Sequence, residues 1–168
     1  MRFEKVSFEE FLKDVAKTFG EDETNESFIE AVRTTYEGIH LPKRGTSGSA
    51  GYDFYCPFYT KISQGEEVMI PTGIRCKLEE GQMLLFFPRS SMGIKKRMYI
   101  ANTVPLIDSD YYGSENEGHI FIAIGTRNPE LEILENDRFV QGVVTNYIIA
   151  EDDETSEKRT CGIGSTGV

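Results

Sequence analysis

The sequence predicts a mainly β protein, a jelly roll or β-barrel with a helical hairpin near its N-terminus. Three observations lead there. From Ile39 onward, short apolar runs are cut by Gly, Pro and Ser at intervals of roughly 8 to 12 residues, the texture of all-β domains. Upstream of that point, apolar residues recur at helical spacing in two blocks. The chain of 168 residues also suits one domain, able to bury roughly 70% of the surface its unfolded form exposes, so it needs neither a disulfide nor a metal to fold. The expected unit is a single domain, 1–168, with 8–36 as the helical insertion and 150–168 as a mobile tail.

The elements follow in order. Residues 2 to 6 alternate weakly and read as a first strand. Ser7 and Glu10 form a capping box, and Phe8, Phe11, Leu12, Val15 and Phe19 continue at helical spacing, so a helix is expected over 8–18, ended by Gly20. After an acidic loop, Phe28, Ile29, Val32 and Tyr36 mark a second helix, capped by Ser27 or Asn25. Expected strands are 51–56, 67–71, 73–78, 83–88, 97–104, 119–125 and 139–149, separated by "GTSGSAG", "SQGE", "PTG", "EEGQ", "RNPE" and "LENDR". The apolar faces of the helical hairpin have two uses open to them, covering the barrel or contacting a partner.

Charge and cysteine content exclude several classes. A net charge of −10 argues against binding bare nucleic acid, since affinity for the phosphate backbone comes from clustered Lys and Arg. The acid concentrates at Glu21 to Glu26 and Glu151 to Glu154, while base gathers in "PRSSMGIKKR" (88–97) and singly at Arg138 and Arg159. Arginines set beside Gly and Ser in an acidic protein suit a small anion. Cys56, Cys76 and Cys161 are odd in number, far apart and outside any CxxC or Cys/His cluster, which reads as free thiols in a reducing compartment. With a charged N-terminus and no apolar run of membrane length, the expected location is cytoplasmic, with no membrane partner.

Five stretches place polar or glycine residues where a β protein has its strand ends: "AGYDFY" (50–55), "PRSSMG" (88–93), "NTVPLIDSDYYG" (102–113), "RFVQG" (138–142) and "RTCGIGSTG" (159–167). Each alone has an ordinary reading. "IDSDYYG" is composed like a strand followed by a turn, "PRSS" like a capping turn, and "GIGSTG" like a glycine-rich terminus. Each also has a chemical reading. A guanidinium with neighbouring hydroxyls makes forked and short hydrogen bonds to phosphate oxygens, and glycines interleaved with Ser and Thr let backbone amides approach a phosphate closely.

Taken in this order, the five stretches resemble the five motifs of the homotrimeric dUTPase family, over about Leu41 to Gly167. "PRSS", "IDSDYYG" and "GSTG" match nearly letter for letter. The resemblance implies a distorted jelly-roll subunit, with the helical segment 8–36 as an insertion after the first strand, and a homotrimer with active sites shared between chains. It also implies hydrolysis of dUTP to dUMP and pyrophosphate, Mg²⁺ carried on the triphosphate with no metal ligand from the protein itself, and a C-terminal lid at 150–168. By the same resemblance Asp108 orients the attacking water and bonds the 3′-hydroxyl, and Tyr111 lies against the sugar to exclude a 2′-hydroxyl. Arg138 and Gln141 support the phosphates and the water. Arg89, Ser90 and Ser91 contact phosphate, and Asp53 serves the phosphate and metal side. Asn102 and Gly118 fall where the uracil-reading hairpin begins and returns, and Arg159, Ile163, Ser165 and Thr166 belong to the lid.

The chemistry required is consistent with that set: a positioned water, a carboxylate to take its proton, and cations to neutralise charge developing on oxygen. Three departures touch the base end. Pro105 stands where the family has glycine and has no N–H to donate. Ile163 replaces a stacking phenylalanine, forgoing ~0.5 to 1.5 kcal/mol. "SENEG" is longer than the usual return. Two rival readings share most of these features: a dCTP deaminase or bifunctional relative, drawing on Glu115 or Glu117, and a nucleotide-responsive binding protein. His40 and His119 are expected to be surface or structural residues.

Overall fold

The computed structural model of the chain describes residues 1–155. β1 (Arg2–Lys5) leads into α1 (Phe8–Phe19) and α2 (Glu26–Gly38). There follow β2 (Lys43–Arg44), β3 (Tyr52–Tyr55), β4 (Thr60–Ser63), β5 (Glu67–Pro71), β6 (Ile74–Lys77), β7 (Gln82–Pro88), β8 (Met98–Ile100), β9 (Leu106–Ile107), β10 (Phe121–Thr126), β11 (Glu130–Ile133) and β12 (Arg138–Asn146). A wide helical turn, Ser91–Lys95, separates β7 from β8, and a tight one, Ser109–Gly113, follows β9.

The pairings among the described strands are antiparallel, in four small sheets: β1 with β6, β5–β10–β8, β4 with β11, and β2–β3–β12–β7–β9. Their inner faces meet in one core, where Phe54, Ile62, Ile70, Leu84, Phe86, Ile122, Ile124, Ile133 and Phe139 are buried. This is the jelly-roll-like β fold that the punctuated sequence predicts. Cys56 and Cys76 lie buried in it as free thiols. Among the described residues no helix is long and apolar enough to cross a membrane.

Both helices start where the capping signals place them. Ser7 Oγ accepts the Glu10 N–H at 3.1 Å, and Gly20, at φ 71°, ends α1 by donating its N–H to the Ala16 carbonyl. The second half of the capping box differs from expectation. Glu10 pairs with Lys13, and the Ser7 N–H is taken instead by the carboxylate of Glu117 at 2.8 Å. α2 is capped by Asn25, whose Oδ1 accepts from the N–H groups of Ser27 and Phe28.

The hairpin lies on the barrel. Phe11 is fully buried and stacks on Phe58, with ring centroids 6.0 Å apart, and the Tyr36 hydroxyl donates to the Val6 carbonyl at 2.7 Å. Burying a phenylalanine of this kind stabilises the fold by roughly 1.5 to 3 kcal/mol. The fit is close enough to dictate a residue on the barrel. Gly73 has φ +71°, and a Cβ there would stand 2.3 Å from Ile39 Cδ1 and 3.3 Å from a Phe11 ring carbon. Of the two uses open to the hairpin's apolar faces, these residues serve the covering of the barrel.

Candidate active site

β3, β7 and β12 bring three of the five sequence stretches to one rim of the five-stranded sheet. Asp53 on β3 stands directly across from Gln141 on β12, and Val140 pairs with Pro88 at the end of β7. The Arg89 N–H donates to the Phe139 carbonyl at 3.3 Å, which carries β7 one residue further along the same edge. Arg138 and Gln141 are three residues apart, so a regular strand would point them to opposite faces. A bulge between Arg138 and Val140 absorbs the extra residue: Arg138 faces Tyr55 and Gln141 faces Asp53, both on the side away from the buried Phe54. The bulge is what brings Arg138 and Gln141 of "RFVQG" to one face.

Asp53 organises the cluster. Its carboxylate is almost wholly buried and binds two guanidinium groups, Arg89 Nε at 2.8 Å and Arg138 Nη1 at 3.2 Å. Each guanidinium has five N–H donors in a fixed fork, and Asp53 occupies only part of each set. Gln141 leans toward the Pro88 carbonyl at 3.5 Å and fills the space beside Gly51, where a Cβ would come within 2.7 Å of its Oε1. A cleft of about 180 Å³ opens here, lined by Gly45, Ser49, Gly51, Asp53, Arg89, Ser90, Arg138 and Gln141. Ser91 is exposed and begins the wide turn without lining the cleft.

One wall of the cleft comes from "GTSGSAG", whose composition reads as a loop and whose last residue, Gly51, also belongs to the stretch "AGYDFY". In "GTSGSAG", Arg44 Nη1 donates to the carbonyls of Ser47 and Ser49, and the Thr46 N–H donates to Ser49 Oγ. This folds Gly45, Ser49 and Gly51 against the cluster. The available signal was the density of Gly and Ser just before Asp53, a composition that suits a loop and a phosphate wall equally.

The turn carrying Asp108 lies elsewhere on the chain. Asp108 follows β9 in extended conformation (φ −81°, ψ 159°), and the tight turn starts at the next residue. Tyr111 is buried, its hydroxyl donating to the His119 carbonyl at 2.7 Å and accepting from Asn116 Nδ2 at 2.9 Å. Gly118, at φ +73°, packs beneath it; a Cβ there would meet Tyr112 Cα at 2.7 Å and the Tyr111 carbonyl oxygen at 2.8 Å. Asn102 is exposed, and its carbonyl accepts the Val104 N–H across a turn in which Thr103 has φ 68°. Pro105 is buried, and its carbonyl accepts the Phe86 N–H at 3.1 Å.

β9 runs antiparallel to β7, with Ile107 opposite Leu84. Asp108 therefore stands at the Met83 end of β7, whereas Arg89 lies just past its other end at Pro88. Six residues of strand separate those positions, about 20 Å at ~3.3 Å per residue. The structure brings together Asp53, Arg89, Ser90, Arg138 and Gln141; it groups Asp108, Tyr111 and Gly118 separately. Arg159, Ile163, Ser165 and Thr166 lie outside the described residues.

The "SENEG" extension also has its partners. Glu117 accepts from the Ser7 N–H at 2.8 Å and the Ser7 hydroxyl at 2.7 Å, with Arg75 Nη1 at 3.6 Å. Burial works to raise the pKa of this carboxyl, but the two Ser7 hydrogen bonds and the Arg75 charge together hold it below the usual carboxylate range.

Fold and cleft define a jelly-roll protein with a guanidinium-lined cleft at its rim. The dUTPase family model matches residues 37–167, and the chain belongs to that family. The chain is 41% identical over 134 residues to the deoxyuridine 5′-triphosphate nucleotidohydrolase of Lactococcus lactis, covering 77% of this chain and 89% of that protein. With the enzyme of the same name from Methylobacillus flagellatus it shares 38% identity, covering 76% and 87%. The crystal structure of the dUTPase from Streptococcus mutans superposes with a TM-score of 0.63 at 38% identity, covering 68% of this chain and 91% of that one. A mutant dUTPase from phage phi11 of S. aureus, whose structure details the coordination of a structural Mg(II) ion, shares the fold at 20% identity and a TM-score of 0.60. The family match begins at residue 37, so α1 lies outside it.

Proposed function

We propose that the chain is a dUTP diphosphatase, hydrolysing dUTP to dUMP and pyrophosphate and so keeping uracil out of DNA. The observation that carries the reading is the cleft at the ends of β3, β7 and β12, where Asp53 holds Arg89 and Arg138 beside Gln141 in a chain of the dUTPase family. Water attacks the α-phosphorus, Asp108 takes its proton, the bond from that phosphorus to the bridging oxygen breaks, and pyrophosphate leaves. Arg89, Arg138 and Ser90 bind the phosphate oxygens, and Gln141 orients the water. Asn102 and Gly118 frame the base hairpin, and Tyr111 sits against the sugar. Ser91, next to Ser90, adds a further hydroxyl to the phosphate contacts, and the segment from 150 onward, with Arg159, Ile163, Ser165 and Thr166, closes over bound nucleotide. The whole chain acts as one domain, in the cytoplasm.

A general base must come within hydrogen-bond reach of the proton it takes. The separation of about 20 Å between the Asp108 and Arg89 ends of β7 is too large for side chains of one chain to close. Asp108 of one chain therefore works against the arginine cleft of another, and closed symmetry completes the site in a homotrimer. Mg²⁺ would be carried on the triphosphate rather than held by a cage of protein ligands. The donors lining the cleft are hydroxyls, an amide and one carboxylate already held by two guanidinium groups, which suits an ion that keeps several waters of its own. When bound, Mg²⁺ supplies further charge neutralisation at the phosphate oxygens. Of the carboxylates a deaminase would draw on, Glu117 is committed to Ser7 and Arg75.

A pyrophosphate-release assay across dUTP, dCTP, dTTP and UTP, with base analysis of the products, tests the reading. Release from dUTP alone supports it. Uracil appearing from dCTP shows a deaminase, and binding without turnover shows a nucleotide-responsive binding protein.

A further inference from the structure

The helical hairpin does more than cover the barrel: its first helix grips the segment that carries Asp108 and Tyr111. Asp14 on α1 and His119 are both buried, with Asp14 Oδ2 2.6 Å from His119 Nδ1. On the far side of the ring, His119 Nε2 accepts the Gly73 N–H at 2.7 Å. A nitrogen that accepts carries no proton, so the imidazole is the Nδ1–H tautomer and donates to Asp14. The ring is held at both edges, which fixes the His119 backbone. The carbonyl of that same residue receives the Tyr111 hydroxyl.

A second grip lies about two helical turns earlier, at the N-cap of α1. Ser7 gives both its N–H and its hydroxyl to Glu117, which has φ 55°, a left-handed conformation uncommon for a residue with a side chain. The chain leading up to the two grips folds back on the tight turn. Ser114 Oγ lies 2.7 Å from both the Tyr111 carbonyl and Asn116 Oδ1, and the His119 N–H donates to the Asn116 carbonyl. Residues 111 to 119 thus form one hydrogen-bonded unit, anchored to α1 at 117 and 119.

We propose that α1 is a positioning element for the reaction. Asp14 through His119, and Ser7 through Glu117, set the placement of the 108–119 segment and with it the fit of Tyr111 to a deoxyribose. The inference rests on the dUTP diphosphatase reading for its kinetic consequence and on the structure alone for its mechanical one.

The test compares Asp14→Ala, Asp14→Asn, Ser7→Ala and Val32→Ala in the full chain. Val32 is a buried residue of α2 and serves as a control that weakens the hairpin without touching either grip. Two quantities are read: the ratio of kcat/KM for dUTP over UTP, and amide hydrogen exchange in peptides spanning 108–119. Loss of fold or assembly lowers activity on both nucleotides alike and leaves the ratio unchanged, whereas a loosened Tyr111 lowers it. Asp14→Ala is expected to reduce the ratio about tenfold and to speed exchange in 108–119. Ser7→Ala should do the same to a smaller extent. Asp14→Asn keeps an acceptor for the Nδ1–H and should remain close to wild type, as should Val32→Ala. An unchanged ratio and unchanged exchange in both Asp14→Ala and Ser7→Ala overturn the proposal, as does an equal change in Val32→Ala. If Asp14→Ala fails to fold, Ser7→Ala against Val32→Ala decides. If the wild-type chain does not hydrolyse dUTP, the functional reading fails separately, and the exchange measurement alone decides whether α1 holds the segment.

Discussion

Replacing Gly51 by Ala probes the cleft without removing any of its polar groups. The new methyl would stand 2.7 Å from Gln141 Oε1 and 3.3 Å from Gln141 Cβ. An ordinary C···O approach is roughly 3.3 Å or more, so the amide must retreat by at least about half an ångström or swing to another rotamer. Gln141 is a terminal side chain at a partly open rim, so the displacement costs little stability, and exchanging Gly for Ala where φ permits it often adds ~0.4 to 1 kcal/mol by restricting the unfolded chain. Catalysis is far less tolerant: a misplacement of about 1 Å in a positioning group can cost roughly 100-fold in rate, equivalent to ~2.7 kcal/mol on the barrier. The expected outcome is a thermal midpoint equal to or slightly above that of wild type, with kcat for pyrophosphate release from dUTP reduced by between about tenfold and 100-fold. Gln141→Ala should lower kcat comparably, and the double variant should be no worse than the poorer single one, because both changes remove the same interaction. Wild-type kcat in Gly51→Ala would refute the role given to Gln141. Additive losses would show that Gly51 matters for some other reason.

Asp108→Asn should reduce turnover by roughly 10² to 10⁴-fold, the usual contribution of a positioned base, while nucleotide affinity by titration calorimetry stays within about tenfold, or ~1.4 kcal/mol. Mixing unfolded Asp108→Asn and Arg138→Ala chains one to one and refolding them should restore about a quarter of wild-type activity, since a site shared between two chains then draws both intact residues once in four times; no recovery above the separate variants would show that each chain builds its own site. The depressed pKa of Glu117, in which burial is outweighed by the Ser7 hydrogen bonds and Arg75, gives stability that is present above a pH of about 4.5 and lost as pH falls through the folded value. Glu117→Gln should therefore flatten the acid side of a plot of thermal midpoint against pH, and an unchanged slope there would refute the assignment.

The sequence conveyed some parts of this architecture better than others, for physical reasons. The two helices were legible because amphipathic spacing and caps are local: Ser7, Gly20 and Asn25 act within a few residues of themselves. β4 and β11 were missed. "TKIS" and "ELEI" are only four residues long and alternate charge with one or two apolar side chains, and they become strands only by pairing with each other across the barrel. β2 is two residues long and has no pattern to show. The arginine cleft was legible as residue types at strand ends. The bulge that turns Arg138 and Gln141 to one face was not, because "RFVQG" carries no glycine or proline at the irregular position. Least legible were the grips of Ser7 on Glu117 and Asp14 on His119, which join residues 110 and 105 positions apart. The capping box at Ser7 and Glu10 looked complete in the sequence, and only the fold shows that a carboxylate from the far end of the domain takes the second half of it.

An acidic chain that binds a polyanion raises an electrostatic question, and the cleft answers it on a local scale. The net charge of −10 repels a triphosphate at long range, but at physiological ionic strength such repulsion is screened beyond about 8 Å. Inside the cleft the balance is reversed: two guanidinium groups surround one carboxylate, leaving a surplus of positive charge and unused donors. Without Asp53 the two arginines would repel each other and lose their fixed orientation. With it, they are held in place before the nucleotide arrives, so the ligand need not order them. In the proposed binding role of the cleft, Asp53 would also raise its selectivity. An incoming anion must offer the guanidiniums more than the carboxylate already does, a condition that a chain of phosphate groups meets through several oxygens at once and a single weak anion does not.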